Sequence, residues 1–279
     1  RGESAGEGQV HAEALELVRV VLEMHASRGP AQLRAYVHQV VEAGVLTGDV
    51  LAASLGCRRN RGLQRSAVRL VRALLDADFP ALNGLLIHAG IWPRVAAVVD
   101  AEALGGDVEV GDGTVDIAVL MGDVMALCAA VAARDPQMLL WLATTTGVLR
   151  SWHAALVRLA VHVRQSSPAH RRASKALLTH AKLIASVADT LRSQLGAPQD
   201  ARPGEAGQWA ELTAFLGSRA VLEVLAACLR EEALPPTRQA AISALALLSG
   251  LVVSGLVQAC DAPDLYDELG RRAWALFPL

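Results

Sequence analysis

An apolar helix, a glycine and a second apolar helix recur in that order along this chain. Residues 40–54 (VVEAGVLTGDVLAAS) align with residues 86–100 (LIHAGIWPRVAAVVD) at a shift of 46 positions, and two weaker copies follow. The glycines at the four joints are Gly44, Gly90, Gly147 and Gly217. We expect each of them to end a helix in a left-handed turn. Short helices of this kind bury their apolar faces only against neighbours, which predicts a stack of helical repeats.

The shift lies within the period of roughly 40–47 residues of armadillo and HEAT repeats. The predicted fold class is therefore all-α, a right-handed α-solenoid of armadillo/HEAT-like repeats. Composition agrees, because 53% of the residues are hydrophobic and only 4% are aromatic, so Ala, Leu and Val dominate. Helical periodicity predicts helices over 114–131 and 169–195, and a first helix with one apolar stripe. That stripe comprises Ala14, Leu15, Val18, Val21 and Leu22.

We expect one solenoid domain over residues 1–279, interrupted by two loop inserts. Residues 100–113 are acidic and rich in glycine, and residues 196–207 are rich in proline and glycine. The strand-like alternation at 106–116 is also interpreted as a loop. Since the sequence begins at Arg1 without a methionine, we expect it to be part of a longer chain.

Residues from about 15 to 131 resemble the central helical-repeat domain of the Smek family, regulatory subunit 3 of protein phosphatase 4. The resembling segments are LELVRVVLEMHASRGPAQLRAYVHQVVEAGVLTGDVLAASL, SAVRLVRALLDADFPALNGLLIHAGIWPRVAAVV and the helix after Thr114. Glu23, His25 and Tyr36 occupy matching places, whereas the part after Val131 matches the family poorly. The resemblance implies a regulatory or targeting subunit that brings partners together and catalyses nothing.

Motifs of catalysis and cofactor binding are missing from the sequence. It holds no H-E-x-x-H, G-x-S-x-G, Walker A or strand-linked G-x-G-x-x-G pattern, and no zinc-like spacing of cysteines and histidines. We therefore expect no enzyme activity, no cofactor and no metal, and the eight histidines are expected on the surface or satisfied in the core. The four separated cysteines indicate reduced thiols in an intracellular protein of the cytoplasm or nucleus.

Six arginines make the strongest candidate binding site. They lie in one predicted helix and its lead-in, and they are Arg58, Arg59, Arg61, Arg65, Arg69 and Arg72. Arg65, Arg69 and Arg72 share a helix face, which we call the arginine ridge. Guanidinium groups bind carboxylates and phosphates in pairs, so the ridge and Trp92 predict binding of an acidic or phosphorylated peptide of another protein. The alternative is a solvated outer face.

Nucleic acid is not the expected partner of these arginines. The net charge is −2, and no aromatic residues interleave with the arginines to stack on bases. With only Asn60 and Asn83, the chain also lacks the asparagine ladder that armadillo adaptors of nuclear import use.

A second candidate site is Ser174 in HRRASK, either a phosphorylation site for a basophilic kinase or simply the basic start of a helix.

An uncharged segment at 239–260 has two interpretations. Its length suits a membrane span, yet its content of Ala and Ser favours a core helix or helix pair that is apolar on all sides because it is buried.

The predicted function is a non-enzymatic scaffold for protein–protein interaction, such as a subunit of a Ser/Thr phosphatase complex. Alternatives are a structural part of a cytoskeletal, ciliary or ribonucleoprotein assembly, a membrane-associated protein, and a helical enzyme with an unrecognised site.

Overall fold

In the part of the chain that the computed structural model describes, α-helices are joined by turns and short loops. The described residues are 5–44, 47–57, 60–76, 91, 94–95, 98, 112–132, 147–165, 171–195, 206–230 and 233–275, and these hold no strand. In chain order the helices are α1 (Ala5–Arg28), α2 (Pro30–Glu42), α3 (Gly48–Gly56), α4 (Arg61–Asp76), α5 (Asp112–Ala132), α6 (Val148–Gln165), α7 (Arg171–Leu195), α8 (Ala206–Leu216), α9 (Arg219–Cys228), α10 (Pro235–Val253) and α11 (Pro263–Ala275). The all-α prediction is confirmed.

Local sequence signals mark where several helices begin. Helices α2, α10 and α11 start with Pro30, Pro235 and Pro263, whose fixed φ suits the first helical turn. Thr47 caps α3, because its Oγ1 accepts a hydrogen bond of 3.2 Å from the backbone N–H three residues later. Asn60 caps α4 in the same way, with its Oδ1 2.9 Å from the N–H three residues later.

The larger helix–helix contacts join helices that are one to three places apart among those described. Helix α1 packs on α2 and α4, α4 on α3 and α5, and α5 on α6 and α7. Further along, α6 packs on α8 and α9, α7 on α9 and α10, and α9 on α10 and α11. A core of buried Ala, Leu, Val and Met side chains runs through all these layers. Packing between near neighbours in sequence is a property of stacked helical units.

The predicted glycine joints have different outcomes. Gly44 and Gly147 adopt φ values of 68° and 69°, so the left-handed turn is confirmed at both. Gly90 lies outside the described residues. The prediction is wrong for Gly217, which is not left-handed. Its position requires glycine for a different reason, because a Cβ there would lie 2.2 Å from the backbone oxygen of Gln258.

Both predicted loop inserts end earlier than their sequence suggests. Helix α5 already begins at Asp112, so the last residues of the stretches 100–113 and 106–116 are helical, which corrects the loop interpretation there. Helix α8 begins at Ala206, inside the stretch 196–207. In both cases the helix starts before the last glycine of the segment, because helical packing overrides the low helix propensity of glycine. The remaining residues of both inserts lie outside the described part.

The uncharged segment 239–260 is not a single helix. Helix α10 ends at Val253, and Gly255 then turns the chain with a φ of 74°. The expectation of burial on all sides is wrong, since only 28% of the most apolar 18-residue stretch of α10 is buried. Small side chains such as Ala241 and Ala244 pack inward, whereas Val253 is 89% exposed. Among the described helices, α10 alone is long and apolar enough to cross a membrane, judged by length and composition.

The four cysteines are free thiols. Cys128 and Cys228 are buried in the core, as expected, and burial raises the pKa of each thiol to about 12. Cys57 and Cys260 are only partly buried, which departs from the expectation that all four lie inside.

Candidate functional site

The arginine ridge lies where α4 packs between α1 and α5. Arg65 Nε donates a hydrogen bond of 2.6 Å to Asp123 Oδ2, and Arg69 Nε donates one of 3.1 Å to the same oxygen. Asp123 belongs to α5 and is 20% exposed, while both arginine side chains are about one-third exposed. Arg65 and Arg69 of the ridge therefore bind a carboxylate of the chain itself.

Helix α1 adds further charges to this cluster. Arg19 forms two hydrogen bonds with the Glu16 carboxylate, at 3.0 and 2.7 Å. The pKa of Glu16 is lowered chiefly by this bond to Arg19, with smaller contributions from the charges of Arg69 and Arg65. A charged groove of about 370 Å³ results, with Arg19, Glu23, Arg69, Arg72 and Asp123 around it. Carboxylates and guanidinium groups alternate around this groove, so their charges connect α1, α4 and α5.

The other predicted binding residues are dispersed. Arg61 donates hydrogen bonds to the backbone oxygen of Val98 at 3.1 Å and to Gln64 Oε1 at 2.9 Å. It therefore links the start of α4 to the backbone at Val98. Arg58, Arg59 and Trp92 lie outside the described residues. Arg72 is exposed on the ridge, next to the charged groove.

The candidate phosphorylation site is buried. Ser174 lies in the first turn of α7 and is 4% exposed, and its hydroxyl has no hydrogen-bond partner among the described residues. A kinase must extract the hydroxyl from its surroundings before it can transfer phosphate. In this fold the geometry therefore favours the alternative interpretation, a basic helix start.

We expect Asp123→Asn to lower the free energy of unfolding by about 1–2 kcal/mol. Asparagine keeps the shape and an acceptor oxygen but removes the charge that holds Arg65 and Arg69, and partial exposure limits the loss. Urea unfolding followed by circular dichroism measures the change. Asp189→Asn is the control, because Asp189 forms an exposed pair with Arg192 and should shift stability by less than about 0.5 kcal/mol. Equal stability of Asp123→Asn and wild type would contradict the structural role of the cluster.

A buried polar connection joins α5, α6 and α7. Trp152 Nε1 donates a hydrogen bond of 3.1 Å to His180 Nδ1, and His180 Nε2 lies 2.9 Å from the backbone oxygen of Ala118. The indole N–H can only donate, so Nδ1 must accept and the proton resides on Nε2. Both side chains are 0% exposed. Burial lowers the pKa of His180 to about 4, which keeps the ring neutral at pH 7.

The structure has a second groove that no sequence pattern predicts. We call it the C-terminal groove; it lies between α8, α9, α10 and α11 and has a volume of about 440 Å³. Most of its walls are aliphatic, among them Leu216, Leu222, Leu245, Val252, Val257 and Leu269. The incomplete burial of α10 exposes this surface. Ser249 and Tyr266 contribute the polar side chains of the lining.

Tyr266 gives the C-terminal groove its one aromatic side. Its hydroxyl lies 3.9 Å from Cys260 Sγ, and its pKa is raised, mainly by burial and also by Cys260. The phenol therefore stays protonated at neutral pH. A lining of this kind can bind apolar surface and offers a hydroxyl for orientation, but it supplies no group poised for acid–base chemistry.

Metal-binding geometry is missing from the described part of the chain. No group of three or more His, Cys, Asp or Glu side chains there could hold a metal ion. No family model, curated protein or solved structure matches this chain. Its function must therefore be argued from the grooves and helix faces themselves.

Proposed function

We propose that this protein is a non-enzymatic interaction scaffold that binds an amphipathic helix of a partner protein in the C-terminal groove. The observation that carries the proposal is an open, aliphatic groove of about 440 Å³ on a fold made of packed helices. Its volume falls within the roughly 300–1,000 Å³ of typical ligand sites. Helix-in-groove binding uses apolar side chains at i, i+3, i+4 and i+7, which suits a groove between helices.

The exposed edge of α10 supplies the driving force for binding. Val253 is 89% exposed and Val252 is 36% exposed, and both border the groove. Complete burial of one aliphatic side chain is worth roughly 1.5–3 kcal/mol relative to an exposed one. A partner that covers this edge gains part of that free energy from each valine. Because the lining carries few polar groups, the occupant should present an apolar face.

In the larger proposal the chain is a right-handed armadillo/HEAT-like solenoid in the cytoplasm or nucleus. The packing of helices that lie one to three places apart and the left-handed Gly44 and Gly147 support this repeat type. The Smek resemblance extends the proposal to a regulatory or targeting subunit of a larger complex, such as a Ser/Thr phosphatase. The arginine ridge takes a secondary part, since Arg65 and Arg69 already bind Asp123.

We expect a double variant, Val252→Glu with Val253→Glu, to lose the partner that the wild-type chain captures. Two carboxylates at the groove edge must be desolvated on binding, which should weaken it at least about 30-fold. Tagged full-length chains are compared by affinity capture and quantitative mass spectrometry. A synthetic helix from the lost partner is then titrated against each chain by fluorescence anisotropy.

The matched control for this experiment is Val157→Glu on α6. Val157 is 39% exposed and lies outside the C-terminal groove, so this variant should bind like wild type. If wild type and the double variant capture the same partners equally, the groove is not the binding site. Flotation of the wild-type chain with phosphatidylcholine vesicles would instead support the membrane alternative for α10, and elution only within a large particle would support the assembly alternative.

A further inference from the structure

The charged groove between α1, α4 and α5 has more guanidinium groups than carboxylates in its lining. The arginines are Arg19, Arg69 and Arg72, and the acids are Glu23 and Asp123. The proposed function uses the C-terminal groove, so the charged groove can serve a different ligand. A partly enclosed groove with an excess of guanidinium groups favours an anion, because these groups bind carboxylates and phosphates through charge-assisted hydrogen bonds.

Arg65 and Arg69 use only a small part of their hydrogen-bonding capacity. Within the described part of the chain, the hydrogen bonds that these two side chains donate come from Nε, and both end on Asp123 Oδ2. The terminal nitrogens Nη1 and Nη2 of Arg69 therefore have no acceptor among the described residues, although Arg69 lines the groove. These nitrogens form the fork with which arginine binds the two oxygens of an acid group.

Arg19 has a different role from the two arginines of α4 that line the groove. It donates hydrogen bonds to Glu16 and Glu23 on its own helix, and its side chain is only 17% exposed. Its charge is therefore compensated within α1. Arg69 and Arg72 are three residues apart on α4, a spacing that places two side chains side by side on a helix surface.

We propose that the charged groove binds a phosphomonoester dianion between the guanidinium groups of Arg69 and Arg72, in competition with Asp123. The carboxylate of Asp123 accepts hydrogen bonds from two guanidinium groups through one oxygen, at 2.6 and 3.1 Å. This is the contact that an anionic ligand makes with a pair of arginines. Asp123 is thus an internal competitor of the ligand.

The internal competitor determines which anion can bind. An external carboxylate has the same single charge as Asp123, but it lacks the high effective concentration of a group that is fixed on α5. A phosphomonoester has a charge of about −1.5 to −2 at pH 7 and three acceptor oxygens, so it can bind Arg69 and Arg72 together. We therefore expect acetate to bind at least about 10-fold more weakly than inorganic phosphate.

Asp123→Asn should bind inorganic phosphate about 10-fold more tightly than wild type, because it removes the competing charge and its repulsion of the ligand. Isothermal titration calorimetry with sodium phosphate at pH 7 and constant ionic strength measures this change. Since Asp123→Asn is also expected to be less stable, phosphate should raise its thermal midpoint more than that of wild type. Asp189→Asn is the control and should bind phosphate like wild type, because Asp189 pairs with Arg192 outside the groove.

Changes at Arg69 test the phosphate contact itself. Arg69→Gln should weaken phosphate binding at least about 10-fold, and Arg69→Lys at least about 3-fold, because lysine keeps the charge but lacks the guanidinium fork. Arg192→Gln removes an exposed arginine outside the groove and should leave binding unchanged. Circular dichroism confirms that each chain is folded.

A steric variant blocks the groove without any change of charge. Ala73 lines the groove next to Arg72, and its small side chain is only partly buried. Ala73→Met extends into this space, so we expect phosphate binding at least about 10-fold weaker with every arginine still present. Binding that is unchanged in both Ala73→Met and Arg69→Gln would place the phosphate elsewhere on the protein and overturn the proposal.

Peptides identify the source of the phosphomonoester. A short glycine-rich peptide with one phosphoserine is compared with inorganic phosphate and with the same peptide carrying serine or glutamate. Tighter binding of the phosphoserine peptide than of inorganic phosphate would assign the groove to a phosphorylated protein, whereas equal binding would assign it to a small phosphate compound. A glutamate peptide that binds as tightly as the phosphoserine peptide contradicts the preference for a dianion.

The proposal is overturned if neither wild type nor Asp123→Asn binds phosphate or the phosphoserine peptide at about 20 mM. It is also overturned if Asp123→Asn binds them no more tightly than wild type. The double variant at Val252 and Val253 should bind phosphate like wild type, because neither valine lines the charged groove. The two proposals therefore fail independently.

Discussion

Trp152→Ala should lower the free energy of unfolding by about 4 kcal/mol. Trp152 is fully buried in α6, and its ring stacks on Phe215 with the ring centroids 4.5 Å apart. Truncation of a buried Trp to Ala typically costs about 3–5 kcal/mol, because it leaves a cavity. It also leaves His180 Nδ1 without its donor in a site that water does not reach. Urea unfolding at pH 7, followed by far-ultraviolet circular dichroism, measures the loss.

Two further variants separate packing from hydrogen bonding at this site. Trp152→Phe keeps an aromatic ring but removes the indole N–H, and we expect it to cost about 2 kcal/mol, partly from the unpaired Nδ1. Val157→Ala on the same helix is the control, since Val157 is 39% exposed and should change stability by less than about 0.5 kcal/mol. Wild-type stability of Trp152→Ala would mean that α6 does not pack as described.

Sequence periodicity is sufficient for the helices themselves. The predicted helices 114–131 and 169–195 correspond to α5 and α7 within two residues at each end. Pattern and propensity are local, so they determine such elements well. The single apolar stripe expected on α1 is only partly right. Leu15 and Leu22 are buried, but Ala14 is exposed and Val21 half-exposed, because they belong to the outward face of the helix.

Contacts between distant residues account for what the sequence could not predict. The arginine ridge follows from helical spacing, but Asp123 is 58 residues from Arg65 and no local pattern connects them. The repeat pattern predicts a left-handed turn at Gly217. Its actual requirement comes from the nearby backbone of Gln258, which only the folded chain reveals.

The C-terminal groove shows the same limit. The apolar residues of α8 to α11 are all of types that are common in protein cores. The sequence alone therefore does not predict which of them are exposed to solvent. Val252 and Val253 are exposed because only one side of α10 packs against the other helices. An uncharged run such as 239–260 therefore predicts an apolar surface but not the identity of what covers it.

Protein stability should fall by about 3 kcal/mol between pH 6.5 and pH 4 because of His180 alone. Its pKa is lowered from 6.5 to about 4 in the folded chain, chiefly by burial, while the Ala118 carbonyl and Asp123 act in the opposite direction. Between these values the unfolded chain binds the proton and the folded chain does not. The contribution of His180 is therefore complete above pH 6.5 and is lost as the pH falls toward 4.

The main physical reason is burial of the ring, and the direction of the Trp152 hydrogen bond acts in the same sense. A second proton would sit on Nδ1, where it would face the indole N–H donor, and the charged ring would have no water around it. Urea unfolding of wild type and of His180→Gln at several pH values from 7 to 4 measures the slope. Both chains lose stability as carboxylates protonate, but the wild type should lose up to about 1.4 kcal/mol per pH unit more than the variant. Parallel curves for the two chains would show that His180 is charged or solvated in the folded state, and the polar connection of α5, α6 and α7 would then be incorrect.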